Sequence, residues 1–144
     1  QHGVLSQWAD RLGVSVRPSV EPDLPPALCD RTMVEQVLLN LARNAMQAMD
    51  DPTIAPRVLD IRVRRAASKG HSGWLEFSVA DGGSGIPEEV AKKLFTPFFT
   101  TRPEGMGLGL SMCRTVVEQH GGYFGFAPNE PRGTVFTFTL PVKI

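Results

Sequence analysis

Asn40 and Asn44 could bind a ligand together, because both carry amide side chains and they lie four positions apart in a segment of helical periodicity. At about 100° per residue, positions four apart share one helix face. Their amide oxygens could help hold a hard cation such as Mg²⁺, which takes oxygen ligands. The alternative is that the two side chains solvate an exposed helix edge, and the spacing alone leaves both interpretations open.

The helix that carries these asparagines is predicted from a cap at Asp30 or Thr32 to about Met49, with Glu35 completing a capping box from Thr32. Apolar residues cover most of its circumference, so the helix should be buried. Its narrow polar arc must therefore face a cavity, a ligand or the domain surface. That arc contains Gln36, Asn40, Arg43, Asn44 and Gln47.

Asp81 is a lone carboxylate that follows a predicted strand and precedes Gly83 and Gly85. Glycines there let a flat ligand approach the backbone closely. An ionised carboxylate only accepts hydrogen bonds, so Asp81 suits an exocyclic amine such as that of adenine. The simpler interpretation is an Asp-Gly turn that joins the strand to a short helix predicted over 87–94.

A second glycine-rich run, Gly105 to Leu110, opens a helix predicted from about Leu108 to His120. Its backbone amides and helix dipole favour a phosphate. The run is not Walker-type, because no Gly-Lys-Ser/Thr follows, and it is not a dinucleotide fingerprint, because it follows a loop rather than a strand. That loop, residues 96–107, lacks periodicity and contains several prolines and glycines, which predicts a mobile segment.

The remaining elements predict an α+β fold, a two-layer sandwich whose mixed, mostly antiparallel sheet is covered on one face by three helices. An amphipathic segment that ends at Gly13 is interpreted as the end of a preceding helix or linker, so the domain is placed at 14–144. An exposed hairpin loop is expected at 68–73. Strands are predicted at 14–17, 58–63, 74–79, 123–126 and 134–140.

Composition narrows the function classes. The 144 residues carry 15 basic and 15 acidic side chains, and this balance of charge makes nucleic acid a poor candidate partner. No apolar run approaches the roughly 20 residues that span a bilayer. Cys29 and Cys113 lie far apart, so they are expected to be reduced thiols of a cytoplasmic protein.

Taken together and in order, four segments resemble motifs of the ATP-binding domain of sensor histidine kinases, within the superfamily of gyrase-like, chaperone and mismatch-repair ATPases (the Bergerat fold). Gly133-Thr134 resembles a further nucleotide-site element. The amino-acid sequences of residues 44–49 and 97–101 are most similar to those of nitrogen-regulation, dicarboxylate-sensing and oxygen-sensing kinases. The four segments are residues 35–45 (asparagine box), 81–86 (first glycine box), 94–99 (phenylalanine box) and 105–110 (second glycine box).

The resemblance implies a cleft for ATP and Mg²⁺ between the helical layer and a mobile lid at about 96–107. Asp81 would accept from the adenine amine with support from Thr134, and Asn44 would ligate Mg²⁺. Asn40 would assist at the metal or the phosphates, so the two asparagines are the implied catalytic residues. Phe95 and Phe98 would anchor the lid. The other implied ATP-binding residues are Gln47, Gly83, Gly85, Ile86, Thr100, Thr101, Arg102, Gly105, Met106, Gly107, Leu108, Gly109 and Leu110.

One departure from the family pattern concerns charge. Many such kinases carry a basic residue and then a tyrosine where this chain has Gln47 and Ala48. Arg43 and Arg102 are candidate replacements for the charge that contacts a phosphate.

Three functions compete within the resemblance: a histidine kinase domain, an ATP-hydrolysing clamp of the gyrase or mismatch-repair type, and an anti-sigma-like serine kinase. The clamps need a carboxylate one turn before the metal asparagine, where this chain has Asn40, an amide that cannot act as a general base. We therefore expect a kinase that transfers the γ-phosphoryl of ATP to a histidine on a separate segment.

The acceptor histidine is not expected within this chain, because His2, His71 and His120 lack the following acidic residue and proline. The expected partners are the acceptor and dimerisation helices of the same full-length protein, which would be a homodimer, and a response regulator. The domain is expected to be cytoplasmic, without direct membrane contact, in a protein that is either free or anchored in the inner membrane.

Overall fold

The computed structural model describes residues 4–25, 27, 29–68, 71–91 and 109–142. Its strands are β1 (Ser15–Val20), β2 (Val58–Ser68), β3 (His71–Ala80), β4 (Phe124–Pro128) and β5 (Thr134–Pro141). Its helices are α1 (Val4–Leu12), α2 (Arg31–Ala48), the single turn α3 (Glu88–Ala91) and α4 (Gly109–Gln119).

The five strands form one sheet in the order β1-β2-β3-β5-β4. β1 runs parallel to β2, and every other neighbouring pair is antiparallel. The predicted mixed, mostly antiparallel sheet is confirmed. Along β5, buried and half-buried residues alternate, as expected for a sheet with one covered face.

The core lies between that face and the helices. Phe138 is fully buried at the centre of β5 and stacks on Phe77 of β3, with ring centroids 4.8 Å apart. The helical residues Val37, Leu41 and Val117 belong to the same buried cluster. The apolar side of α2 is thus used for packing, as its periodicity predicts.

The N-terminus of α2 is capped by Asp30, whose carboxylate accepts a hydrogen bond from the Met33 amide at 3.1 Å. The capping box from Thr32 to Glu35 is wrong, because Glu35 instead pairs with Arg31 one turn away, at 3.1 Å. The same cap is tied to the end of α4, since the Asp30 amide donates to His120 Nε2 at 2.9 Å. Asp30 therefore fixes where α2 begins and where it meets α4.

α1 packs on α2 through Ala9, which is buried, and Trp8, which is half-buried. Arg57 holds the end of α1 by donating to the Leu12 carbonyl at 2.7 Å. The chain then turns at Gly13, where φ is +67°. The domain boundary placed there from sequence stays a prediction.

The hairpin loop predicted at 68–73 is longer than the observed connection. β2 continues to Ser68 and β3 begins at His71, and these two residues are paired across a bulge. Backbone pairing tolerates the polar side chains that suggested a loop. Near the same end of β3, the Val142 amide donates to the Gly73 carbonyl at 2.7 Å.

Two further predictions concern the helical segments and thiols. The short helix predicted over 87–94 is described over Glu88–Ala91, and residues 92–94 lie outside the described part. Cys29 is half-buried and Cys113 is buried, and both are free thiols as expected. Among the helices that the structure describes, none is long and apolar enough to cross a membrane.

Candidate functional site

Asp81 follows the last residue of β3 and is only 3% exposed. Its backbone amide donates to the Thr134 carbonyl at 2.9 Å, which places it beside the first residue of β5. Its Oδ1 accepts the Gly83 amide at 2.8 Å. The expected partnership of Asp81 with Thr134 is therefore a backbone contact, and Thr134 is itself buried.

Burial is the main influence on the Asp81 carboxyl and raises its pKa above the ordinary value of an aspartate. The backbone hydrogen bonds from Gly83 and Thr134 act in the opposite direction and lower the pKa, but less strongly. Exclusion of water makes the ionised form of the Asp81 carboxyl less favourable than it is in solvent. Such perturbed groups concentrate at functional sites, where an incoming ligand compensates for the lost water.

Three glycines shape the turn around Asp81. A Cβ at Gly83 would lie 2.6 Å from the Ala48 carbonyl oxygen at the end of α2, so glycine is needed there for packing against the helix. Gly85 has φ of +82° and Gly133 has φ of +105°. A Cβ at Gly133 would lie 2.0 Å from the Asp81 carbonyl oxygen. Ile86, next in the chain, packs against the core.

These contacts explain why glycines stand here, although the reason differs from the close ligand approach suggested by sequence. The glycines allow close contact between α2, the turn at residues 81–86 (the Asp81 turn) and the connection between β4 and β5. A ligand contact by Gly83, Gly85 or Ile86 stays a prediction.

On α2, the amide of Asn44 donates through Nδ2 to the Asn40 backbone carbonyl at 3.1 Å. That bond orients the side chain and leaves Oδ1 as the atom that a cation could use. Both asparagines are half-buried, as a polar arc on an otherwise buried helix requires. A neutral amide oxygen suits a hard cation whose other ligands are phosphates and waters.

Asn40 contacts the thiol of Cys113 on α4. The Cys113 Sγ donates to the Val37 carbonyl at 3.9 Å, and the Asn40 side chain is close enough to the same thiol to influence its pKa. Burial raises the Cys113 pKa to about 12, while the Asn40 contact lowers it slightly. Cys113 is therefore a neutral thiol that links the asparagine helix to the helix opened by the second glycine run.

Arg43, one of two candidates for a phosphate contact, lies with its guanidinium 5.9 Å from the centroid of the Trp8 ring. The pair borders a cavity of about 230 Å³ between α1 and α2, which Gln47 also lines. In this structure Arg43 is therefore engaged with α1.

The second glycine run is only partly described. Gly109 is buried and Leu110 half-buried at the start of α4, where a phosphate site is predicted. The rest of the predicted phosphate and lid residues lie outside the described part of the chain: Phe95, Phe98, Thr100, Thr101, Arg102, Gly105, Met106, Gly107 and Leu108.

Sequence reasoning missed two residues that contact the Asp81 turn. Asn129 donates through Nδ2 to the Asp81 carbonyl at 2.8 Å, and Arg132 donates through Nε to the Gly83 carbonyl at 3.1 Å. They lie 48 and 49 positions from their partners. The nearby Gly133-Thr134 was a signal for the turn, but no spacing rule gives contacts across such a separation.

A cation site of acidic or histidine ligands is not present in the described residues, where no three His, Cys, Asp or Glu side chains come together. Within the described residues, the arrangement that fits a hard cation is the amide pair on α2. The structure thus combines a buried acceptor beside a glycine turn with a half-buried pair of amides on the adjoining helix. This arrangement suits a nucleotide with a metal-bound phosphate chain.

The sequence profile of one family, described as histidine kinase-, DNA gyrase B-, and HSP90-like ATPase, matches residues 29–144. The chain belongs to this family of ATP-binding ATPase domains. Its likeness to solved structures places it among histidine kinase catalytic domains. The catalytic domain of histidine kinase ThkA is 31% identical with a TM-score of 0.81, and the match covers 98% of this chain and 87% of that one.

Curated relatives agree. The transport sensor protein DctS of Rhodobacter capsulatus is 45% identical over 123 residues, which are 85% of this chain and 18% of DctS. Sensor protein FixL of Bradyrhizobium diazoefficiens is 41% identical over 89% of this chain and 24% of FixL. Sensor histidine kinase ZraS of Escherichia coli is 38% identical over 98% of this chain and 28% of ZraS.

The chain spans about a fifth to under a third of the length of these relatives. The predicted sensor histidine kinase class and the α+β fold are confirmed, and a C4-dicarboxylate transport sensor protein is among the relatives. The gyrase-type clamp and the anti-sigma-like serine kinase are not favoured.

Proposed function

We propose that this domain binds Mg-ATP and transfers its γ-phosphoryl group to a histidine on a separate helical segment of the same full-length protein. The phosphoryl group would pass from there to an aspartate of a response regulator. The observation that carries the proposal is Asp81, a 3% exposed carboxylate at the end of β3 whose neighbours are backbone groups. A buried acceptor of this kind recognises an amine such as that of adenine.

The metal side of the proposal rests on α2. Mg²⁺, when bound, supplies charge that holds the phosphate chain and neutralises the charge that develops during transfer. Asn44 would offer Oδ1, because its Nδ2 is already bonded to the Asn40 carbonyl. Asn40, fixed against Cys113, would assist at the metal or the phosphates.

The start of α4 would hold the phosphates. Gly109 and Leu110 begin an 11-residue helix, and the amides at the start of a helix point toward a bound anion. Because α4 packs on α2 through Cys113, the amides proposed to hold the phosphates and the proposed metal ligand would lie on two helices in direct contact.

The proposal that histidine rather than water accepts the phosphoryl group rests on the absence of a carboxylate at position 40 of α2. Asn40 stands where a hydrolase would need a base, and an amide cannot take a proton from water at neutral pH. An imidazole is a good nucleophile without such help, so phosphoryl transfer needs positioning more than base catalysis. Transfer to histidine should therefore be fast when the acceptor is docked, and hydrolysis should be slow.

The partners follow from the same proposal. A solved neighbour with a TM-score of 0.75 and 29% identity is histidine kinase ThkA in complex with response regulator protein TrrA, which supports a response regulator as partner here. The full-length protein would be a homodimer through its acceptor helices. The domain would be cytoplasmic and bind no nucleic acid, in keeping with its balanced charge.

The experiment compares the 144-residue chain with the full-length protein, each incubated with γ-labelled ATP and Mg²⁺. We expect acid-labile phosphohistidine on the full-length protein, none on the chain alone, and none on full-length Asn44→Ala. Full-length Gln36→Ala, which alters an exposed residue of α2, is the control that should still be labelled. Rapid release of phosphate by the chain alone would instead promote the hydrolase clamp.

A further inference from the structure

The connection between β4 and β5, residues 129–133, is here called the β4–β5 turn. It is closed by a hydrogen bond from the Asn129 amide to the Gly133 carbonyl at 3.0 Å. The Asn129 side chain joins the turn as well, because its Oδ1 accepts the Glu130 amide at 2.9 Å. With its oxygen used inside the turn, Asn129 presents its Nδ2 group to the neighbouring segment.

That neighbouring segment is the Asp81 turn. Asn129 Nδ2 donates to the Asp81 carbonyl at 2.8 Å, and Arg132 Nε donates to the Gly83 carbonyl at 3.1 Å. Together with the Asp81 amide, which donates to the Thr134 carbonyl at 2.9 Å, these bonds hold both backbone polar groups of Asp81. The β4–β5 turn and the start of β5 thus fix the backbone from which the carboxylate projects.

The contact is close as well as polar. Gly133 lies against the Asp81 carbonyl so tightly that a Cβ would be 2.0 Å from its oxygen. Gly83, two residues after Asp81, lies against the Ala48 carbonyl at the end of α2. The Asp81 turn therefore contacts both the end of α2 and the β4–β5 turn, and the hydrogen bonds of Asn129 and Arg132 set its position against the β4–β5 turn.

We propose that Asn129 is a positioning residue for recognition of the nucleobase, with Arg132 in a supporting role. Asn129 acts through the Asp81 carbonyl and places the Asp81 carboxylate opposite the exocyclic amine of the base. This inference rests on the proposed function, since it needs Asp81 to bind adenine. Displacement of a binding group by less than an ångström is enough to lose a directional hydrogen bond, so Asn129 controls base selectivity without touching the base.

The test measures binding of metal-free ADP and inosine diphosphate by calorimetric titration. Inosine carries an oxygen where adenine carries the amine, so the ratio of the two affinities reports the Asp81–amine contact. The wild-type protein should prefer ADP by about ten- to hundredfold. Asn129→Ala should reduce that preference by about fivefold or more, mostly through weaker ADP binding. Arg132→Ala should reduce it less.

Two further variants separate positioning from folding. Asn129→Asp keeps the acceptor for the Glu130 amide and loses the donor to Asp81, so it should lose the preference even if Asn129→Ala disturbs the turn. Glu130→Ala alters an exposed neighbour in the same turn and should keep the wild-type preference. Thermal unfolding of each variant shows that the protein compared is folded.

The outcomes are distinct. If Asp81→Asn removes the ADP preference but both Asn129 variants retain it, the positioning role is overturned and the proposed base contact stands. An equal loss of both nucleotides in the Asn129 variants also overturns the positioning role, since it shows only a structural one. If the wild-type protein binds ADP and inosine diphosphate equally, the base contact falls and the inference falls with it.

Discussion

The two sides of the candidate nucleotide site are built in different ways. On the metal side, Asn40 and Asn44 come from one helix, and Asn44 is oriented by the backbone of that helix at 3.1 Å. On the base side, Asp81 depends on contacts from β5, the β4–β5 turn and the end of α2. One side is local in sequence, and the other exists only when distant segments are assembled.

The difference teaches where each side should be fragile. A helix with a capped start and a buried apolar face keeps its geometry when one polar side chain is removed, so changes there should affect ligands more than folding. The Asp81 turn has no room for an added atom at Gly83, or where Gly133 of the β4–β5 turn lies against it. Changes there should affect folding and base binding together, unless the new side chain has the same shape as the old one.

The largest effect is expected from Gly133→Ala. The substitution combines φ of +105° with a Cβ 2.0 Å from the Asp81 carbonyl oxygen. The free energy of unfolding should therefore fall by roughly 2–5 kcal/mol. Gly121→Ala is the matched control, because its φ is +81° but nothing lies within 4 Å of the new atom. Urea unfolding should show a clearly smaller loss for Gly121→Ala. Equal losses would mean that the crowding at Asp81 relaxes freely.

Asp81→Asn should come next, and it should separate folding from binding. The asparagine Oδ1 can still accept the Gly83 amide, so the fold is retained, but the charged acceptor is lost. ADP affinity should fall by about 1.5–3 kcal/mol, ten- to hundredfold, in a calorimetric titration. Asp60→Asn on β2 serves as the control. Unchanged affinity in Asp81→Asn would remove Asp81 from the site.

Asn44→Ala should have a smaller and more selective effect on the helical side. Loss of the metal-directed oxygen should weaken binding of Mg-ATP by about tenfold while metal-free ADP binding changes little. Gln36→Ala, exposed on the same helix, should leave both unchanged. A parallel fall in both nucleotides would assign Asn44 a structural role, and the contrast between the two sides would disappear.

The smallest effect is a pH dependence of stability specific to the base side. Because burial raises the Asp81 pKa above 3.8, the folded protein holds this proton more tightly than the unfolded chain. The stability that the bound proton gives the folded state is fully present below the pKa of Asp81 in the unfolded chain. It is lost as pH rises through the pKa of Asp81 in the folded protein. Relative to Asp81→Asn, the wild-type protein should therefore lose stability over this pH range and then level off, as measured by urea unfolding. A difference that grows in the opposite direction would mean that hydrogen bonding outweighs burial.

The same contrast explains what the sequence could predict. Helical periodicity gave α2, its buried face and the shared side of Asn40 and Asn44, because all of these depend on residues within one turn of each other. The glycine run at 81–86 predicted a turn at Asp81, and Gly133-Thr134 before β5 resembles a nucleotide-site element. Their mutual contact could not be predicted, since it depends on how β3, β4 and β5 pair, and neither Asn129 nor Arg132 has a local pattern that marks its partner.

Two other differences concern the cap of α2 and the hairpin between β2 and β3. The choice of Asp30 over Thr32 as the cap was open in the sequence and was decided by the tertiary bond from the Asp30 amide to His120. The hairpin loop predicted at 68–73 was too long because polar residues can continue a ladder of backbone hydrogen bonds, here to the Ser68–His71 pair. Contacts of the predicted lid residues stay predictions.

The two thiols have a practical consequence for spectroscopy. Cys113 is buried with a pKa near 12, so it presents almost no thiolate to a labelling reagent at neutral pH. Cys29 is half-buried, and it lies next to the Asp30 cap. Although burial and the neighbouring Asp30 charge also raise the Cys29 pKa, Cys29 is the thiol that a maleimide dye reaches first. A single fluorophore can thus be attached to the native sequence at the junction of α2 and α4.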